Sequence, residues 1–92
     1  MLKEKIQLKI LEKLMKRRMW GGKHTEERNL FKGLEKHIIG SRESKEALKE
    51  LIQNGFLIKQ KKTHEDHYSL NPDKMDEIYA HLEKLHKSTT SY

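Results

Sequence analysis

His64 and His67 stand three residues apart, with Glu65 and Asp66 between them. Imidazole and carboxylate together ligate zinc or nickel. A closed site takes four ligands, and the spacing fixes no third or fourth. His24, His37, His81 and His86 show no ligand spacing, so no metal and no other cofactor is expected. Catalytic chemistry has less support. The chain has no cysteine, no glycine-rich phosphate loop and no His-Glu-x-x-His pattern, and nothing assembles converging reactive groups. The chain reads as a binding protein, not an enzyme. The remaining chemistry is positive charge. Lys59, Lys61 and Lys62 crowd one short run, and the 92 residues carry a formal net charge of +6, which points to a polyanionic partner. Residues 1–24 hold eight Lys or Arg against two Glu, the whole of that +6, while residues 25–92 balance twelve against twelve. A solvated lysine-rich helix face is the plain competitor for the first segment.

The elements that would carry these groups follow from periodicity. Ile6, Ile10 and Leu14 recur at helical spacing, and Leu8, Leu11 and Met15 make a second stripe, so residues 2–19 read as a long helix ended by Gly21-Gly22. Thr25 is a fitting N-cap for a second helix with Leu30, Phe31, Leu34 and Ile38 buried, up to Gly40. Ser41 caps a third, with Ala47, Leu48, Leu51 and Ile52 inward and Arg42, Lys45, Glu46, Lys49 and Gln53 outward; Asn54-Gly55 stops it. Residues 56–62 then change to a strand period, Thr63 to Asp66 connect, and 67–70 return, a β-hairpin. Asn71-Pro72-Asp73 opens a fourth helix, capped by Asp73, with Met75, Ile78, Tyr79, Leu82 and Leu85 in one stripe; Lys87 to Tyr92 read as a frayed tail. Trp20 is expected in or near the core. The expected fold is mainly α with a β-hairpin, in the order α, α, α, β, β, α: one domain over 1–92, its core about 2–86.

That order resembles the winged helix-turn-helix family. The stretch Ser41 to Leu70 is similar to its recognition helix and wing, joined by the exit Leu51, Gly55, Phe56, Ile58, and Tyr68-Ser69-Leu70-Asn71-Pro72 resembles the wing end of many small archaeal regulators. The resemblance spans about residues 24–86, with 2–19 as the leading helix. It implies duplex DNA binding and transcription regulation, with the third helix in the major groove and the wing on the backbone. It assigns Ser41, Arg42, Ser44, Lys45 and Lys49 of the helix, and Lys59, Lys61, Lys62, Thr63 and His64 of the wing, to the DNA interface, with Arg42 suited to guanine and the lysines to phosphate. Glu43, Glu46 and Glu50 leave residues 41–53 without net charge. Pairing of Glu46 or Glu50 with Lys49 or Lys45 along the helix would turn them from the groove.

The apolar stripes of the first and fourth helices exceed what one small core covers. A two-fold homodimer through Leu8, Leu11, Met15, Tyr79, Leu82 and Leu85 is therefore expected. The alternative function is a winged-helix module whose third helix and wing contact another protein; an architectural role on DNA is also open. No apolar run approaches the ~18 residues of a membrane span. Met1 to Lys5 lacks a signal-peptide apolar region, so a cytoplasmic protein is expected.

Overall fold

In the computed structural model, which describes residues 2–90, helix α1 covers Leu2–Lys16. Its inward side is Ile6, Ile10, Leu11 and Leu14, all essentially without solvent exposure. Leu8 and Met15 pack on the same core from its edge. The helix stops three residues short of the expected end. Arg18 adopts a left-handed conformation (φ 55°); its N–H donates to Met15 O (3.0 Å) and that of Met19 to Leu14 O (2.9 Å). These two bonds satisfy terminal carbonyls and close the helix before either glycine is reached.

The expected second helix is replaced by three pieces. Thr25–Glu26 form strand β1, Glu27–Leu30 make the single-turn helix α2, and 31–40 are turns closed by bonds such as Leu34 N–H to Phe31 O (3.1 Å) and Ser41 N–H to Ile38 O (3.0 Å). Gly33 lies in this segment with φ 97°, which a continuous helix cannot contain. Thr25 is not a cap. It is drawn into pairing with Tyr68, alongside Glu26 with His67, because the inner hairpin strand otherwise presents an open edge.

Helix α3 (Arg42–Gln53) starts on Ser41, whose Oγ accepts from Ser44 N–H. It ends as expected at Gly55 (φ 80°), with Phe56 N–H on Leu51 O and Gly55 N–H on Ile52 O, both 3.0 Å. Strands β2 (Leu57–Lys61) and β3 (Asp66–Leu70) pair antiparallel, Leu57 opposite Leu70 and Lys61 opposite Asp66. The sheet order is β1-β3-β2. Its inner face buries Leu57, Tyr68 and Leu70. Past β3, the Asn71 side chain rather than Asp73 caps the 3₁₀ turn Pro72–Lys74, accepting from Asp73 N–H. Helix α4 (Met75–Thr90) then runs back along α1, burying Ile78 and Leu85. It continues through the segment expected to fray; the Ser91 and Tyr92 end of that expectation lies outside the described residues.

The result is four helices on a three-stranded antiparallel sheet around one core. Trp20 is half-buried against that core and bridges Leu70 in parallel. Two residues expected at a dimer interface belong to the chain's own interior: Leu11 is fully buried and Leu85 nearly so, because α1 and α4 pack on each other along this stripe. Among the described residues no helix is long and apolar enough to cross a membrane.

Candidate nucleic-acid interface

Helical spacing places Ser44, Ala47, Leu48 and Leu51 on the buried side of α3. The side chains left over divide between two flanks. Lys45, Lys49, Ile52 and Gln53 face the hairpin and, with Lys59, Asp66, Glu27 and Tyr68, line a groove of about 360 Å³. Glu43, Glu46 and Glu50 face the other way, into a cleft shared with Lys3 and Gln7 of α1 and His81 and Lys84 of α4.

The acidic flank is held in place by specific bonds. Glu50 accepts from Lys3 Nζ (2.5 Å) and Gln7 Nε2 (3.3 Å). The hydrogen bond from Lys3, then that from Gln7, holds its carboxyl below the usual carboxylate range. Glu46 takes the Arg42 guanidinium one turn back, 3.0 Å from Nε. The expected pairings of Glu46 and Glu50 with Lys49 and Lys45 are therefore not the ones formed; α1 supplies a nearer cation for Glu50. The charge of α3 is neutral in total: Lys45 lies on the hairpin side and Glu43 on the α1 side, while Lys49 borders both, sharing a shallow pocket with Glu46, Glu50 and Gln53.

On the hairpin side, Tyr68 donates its hydroxyl to Glu27 Oε1 at 2.7 Å. Burial, then that bond, pushes the phenol pKa up, so the proton stays on and the link between β3 and α2 persists at neutral pH. Lys59 Nζ lies 3.4 Å from Asp66 Oδ2. Lys61, Lys62, Thr63 and His64 are exposed at the far end of the hairpin. Arg28, on α2, reaches between Glu26 (3.4 Å) and Glu65 (3.6 Å), which anchors the connector.

Of the residues assigned to this surface from sequence, Lys45, Lys49 and Lys59 line the groove, Lys61, Lys62, Thr63 and His64 are exposed at the far end of the hairpin, and Arg42 is exposed at the start of α3 with its guanidinium on Glu46. Ser41 is half-buried with its Oγ engaged as the cap. Ser44 does not belong there: it is buried, and its Oγ donates to Ser41 O (2.9 Å), since position 44 falls on the helix side that meets the core. Gln53, Ile52, Glu27 and Tyr68 line the groove without having been assigned to it. Gln53 was legible, four residues on from Lys49 and outward-facing; Glu27 and Tyr68 were not, because α2 reaches the groove only through β1.

His67 meets a partner that its spacing does not suggest. Its Nδ1 lies 2.8 Å from Nδ1 of His24, rings edge to face, while His64 points out on the connector. Among the described residues no group of three or more His, Asp or Glu is placed to hold a metal ion. Away from α3, Met75 and Tyr79 of α4 are exposed, Tyr79 by 51%, and Leu82, Leu8 and Met15 are half-buried. Set against protein-family models, curated proteins and solved structures, the chain matches none of them.

Proposed function

We propose that this chain is a winged helix-turn-helix domain that binds duplex DNA through α3 and the β2–β3 hairpin and acts as a dimeric transcription regulator. The observation that carries the reading is the placing of charge on α3. Its lysines line the groove that runs to Lys59 and the hairpin, while Glu46 and Glu50 are engaged by Arg42, Lys3 and Gln7. A polyanion approaching the hairpin side meets Lys45, Lys49 and Lys59 in a groove whose two acids are already engaged, Asp66 by Lys59 and Glu27 by Tyr68. On this reading Arg42, at the start of α3 and 86% exposed, reaches a base edge on leaving Glu46, and the hairpin lysines meet phosphates. The hairpin following directly on α3, and the third strand β1, fit this reading.

The dimer uses the exposed Tyr79 with the half-buried Leu82 of α4 and Leu8 and Met15 of α1. The competing reading, a protein-binding module, draws on one observation: Arg42 and Lys59 each already hold a carboxylate. The deciding experiment is selection from random duplex followed by titration at two salt concentrations. DNA reading requires one enriched sequence and a log K that falls steeply with log salt. Binding no tighter to the enriched than to scrambled duplex would hand the surface to the protein-binding alternative.

A further inference from the structure

The sequence-wide positive charge does not sit on α3, and the structure shows where it goes. Lys5, Lys9, Lys13 and Lys16 recur along α1 at i, i+4, i+8 and i+11, and Arg17 follows at its end. Lys5, Lys9, Lys16 and Arg17 are exposed. Lys13 is the stripe's anchor. Its Nζ donates to Asn29 O (2.9 Å) and to Lys32 O, bringing the exposed Lys32 up to the helix. Partial burial, then Arg17, Lys32 and Lys9, hold the Lys13 ammonium below its usual pKa. Of the two acids of α1, Glu12 borders the stripe, lining one pocket with Lys9, Lys13 and Lys32, and both acids are engaged by α4. Glu12 Oε2 takes His86 Nε2 of α4 at 3.0 Å, and Glu4 accepts from Ser88.

We propose that this stripe is a second, base-blind site for the phosphate backbone, so that one molecule holds two duplex segments at once; the proposal rests on the DNA-binding reading above. Gln7, which meets α3, lies roughly 160° around the helix from Lys9 at about 100° per residue. The stripe and the α3–hairpin surface therefore look in different directions, and one duplex on α3 leaves the stripe free. Cations four residues apart advance about 6 Å along the axis, and Lys5 to Arg17 spans about 18 Å. Each strand of B-DNA presents a phosphate every ~3.4 Å of axis, so the stripe runs beside several of them. Flexible ammonium groups without a fixed donor array neutralise phosphate and read no sequence.

The test uses the full chain, with Lys5→Gln/Lys9→Gln/Lys16→Gln as the main variant and Lys9→Glu as a milder one. Far-UV circular dichroism checks that both fold. Energy transfer between donor- and acceptor-labelled duplexes should be high with the parent and lost with the triple variant. The slope of log K against log salt should shrink by roughly two to three, at about 0.9 per phosphate, with the preferred sequence unchanged. Parent protein that brings no duplexes together, or a triple variant with full energy transfer and an unchanged slope, overturns the proposal. So does a stripe that captures phosphatidylserine vesicles while its loss leaves DNA binding intact. Failure of the α3 reading looks different: Lys49→Ala and Lys61→Ala change nothing, and the stripe variant removes all binding.

Discussion

Gln7 and Glu50 fix how α1 and α3 lie together. The Gln7 amide, nearly inaccessible to solvent, donates to Ala47 O (3.2 Å) as well as to Glu50. Glu50 is charged in the folded state at pH values where a free carboxylate would protonate, so its contribution is present above about pH 4.3, the ordinary Glu value, and fades as pH falls below it. Glu50→Gln should lower the denaturant midpoint at pH 6 and flatten its decline between pH 5 and 3; parallel curves for parent and variant would show that the bond is not felt. His81 acts in a different window. Burial, then Lys84, holds its imidazole below the usual range, its Nε2 is buried with no hydrogen-bond partner among the described residues, and its ring leans on Phe56 with centroids 5.1 Å apart. The fold selects the neutral ring, so its contribution is full above about pH 6.5 and declines as pH drops below that. His81→Leu should be more acid-tolerant than the parent between pH 6.5 and 5 in thermal melts. A parent-like loss of melting temperature over that interval would count against this assignment. Neither group was legible in the sequence: Gln7 interrupts an apolar helix as any surface polar residue would, and its partners are some forty positions away.

At the scale of elements, helix ends were legible where a residue's chemistry matched its geometry. Ser41 and Gly55 bound α3 as their types suggest. Gly55→Val should cost more than about 1 kcal/mol, because an L side chain at φ 80° is strained. Space is not the obstacle: the added Cβ would sit 3.5 Å from Lys74 Cε, an ordinary contact. Arg18 is the opposite case, a left-handed cap filled by a residue that resists it. Arg18→Gly should stabilise by up to about 1 kcal/mol, and a lower melting temperature would mean that the arginine side chain contributes more than its backbone strain costs. Residues 25–38 misled because Leu30, Phe31, Leu34 and Ile38 do face the core, at spacings a helix shares with a string of turns. Hydrophobic period reports which residues face inward; only Gly33 in their midst hinted at a break, and the pairing of Thr25 with Tyr68 depends on an edge that the local sequence does not display.

On the scale of the whole molecule, the proposed DNA reading separates two kinds of contact, and they should fail differently. Arg42→Ala should cost about 1–3 kcal/mol on a preferred duplex and relax discrimination at one base position. Lys61→Ala or Lys62→Ala should weaken binding to every sequence alike and reduce the salt slope by roughly one each. Equal behaviour of all three across cognate and scrambled duplex would remove the distinction. The proposed homodimer should sediment as such at tens of micromolar and revert to monomer on Tyr79→Glu; a parent that is already monomeric there rules it out. The candidate site was legible as far as exposed cations on α3 and the hairpin. The engagement of its acids was not, since the partners of Glu50 come from α1.

The joint between α1 and the sheet has a further consequence. Leu70 N–H donates to Met19 O at 2.7 Å, and Leu70 O accepts from Gly21 N–H at 3.0 Å, with the Leu70 side chain fully buried. These bonds join stretches about fifty residues apart, so no local fraying can open them; α1's exit and β3 must part. Amide hydrogen exchange at Leu70 should therefore proceed only through global unfolding and report the full stability of the domain, while amides at the far end of the hairpin, near Lys61, exchange through local opening. If Leu70 exchanged as fast as that end, the sheet would be detaching from α1 in the native state. Slow exchange there would mean that neither the N-terminal helix nor the hairpin survives the loss of the other.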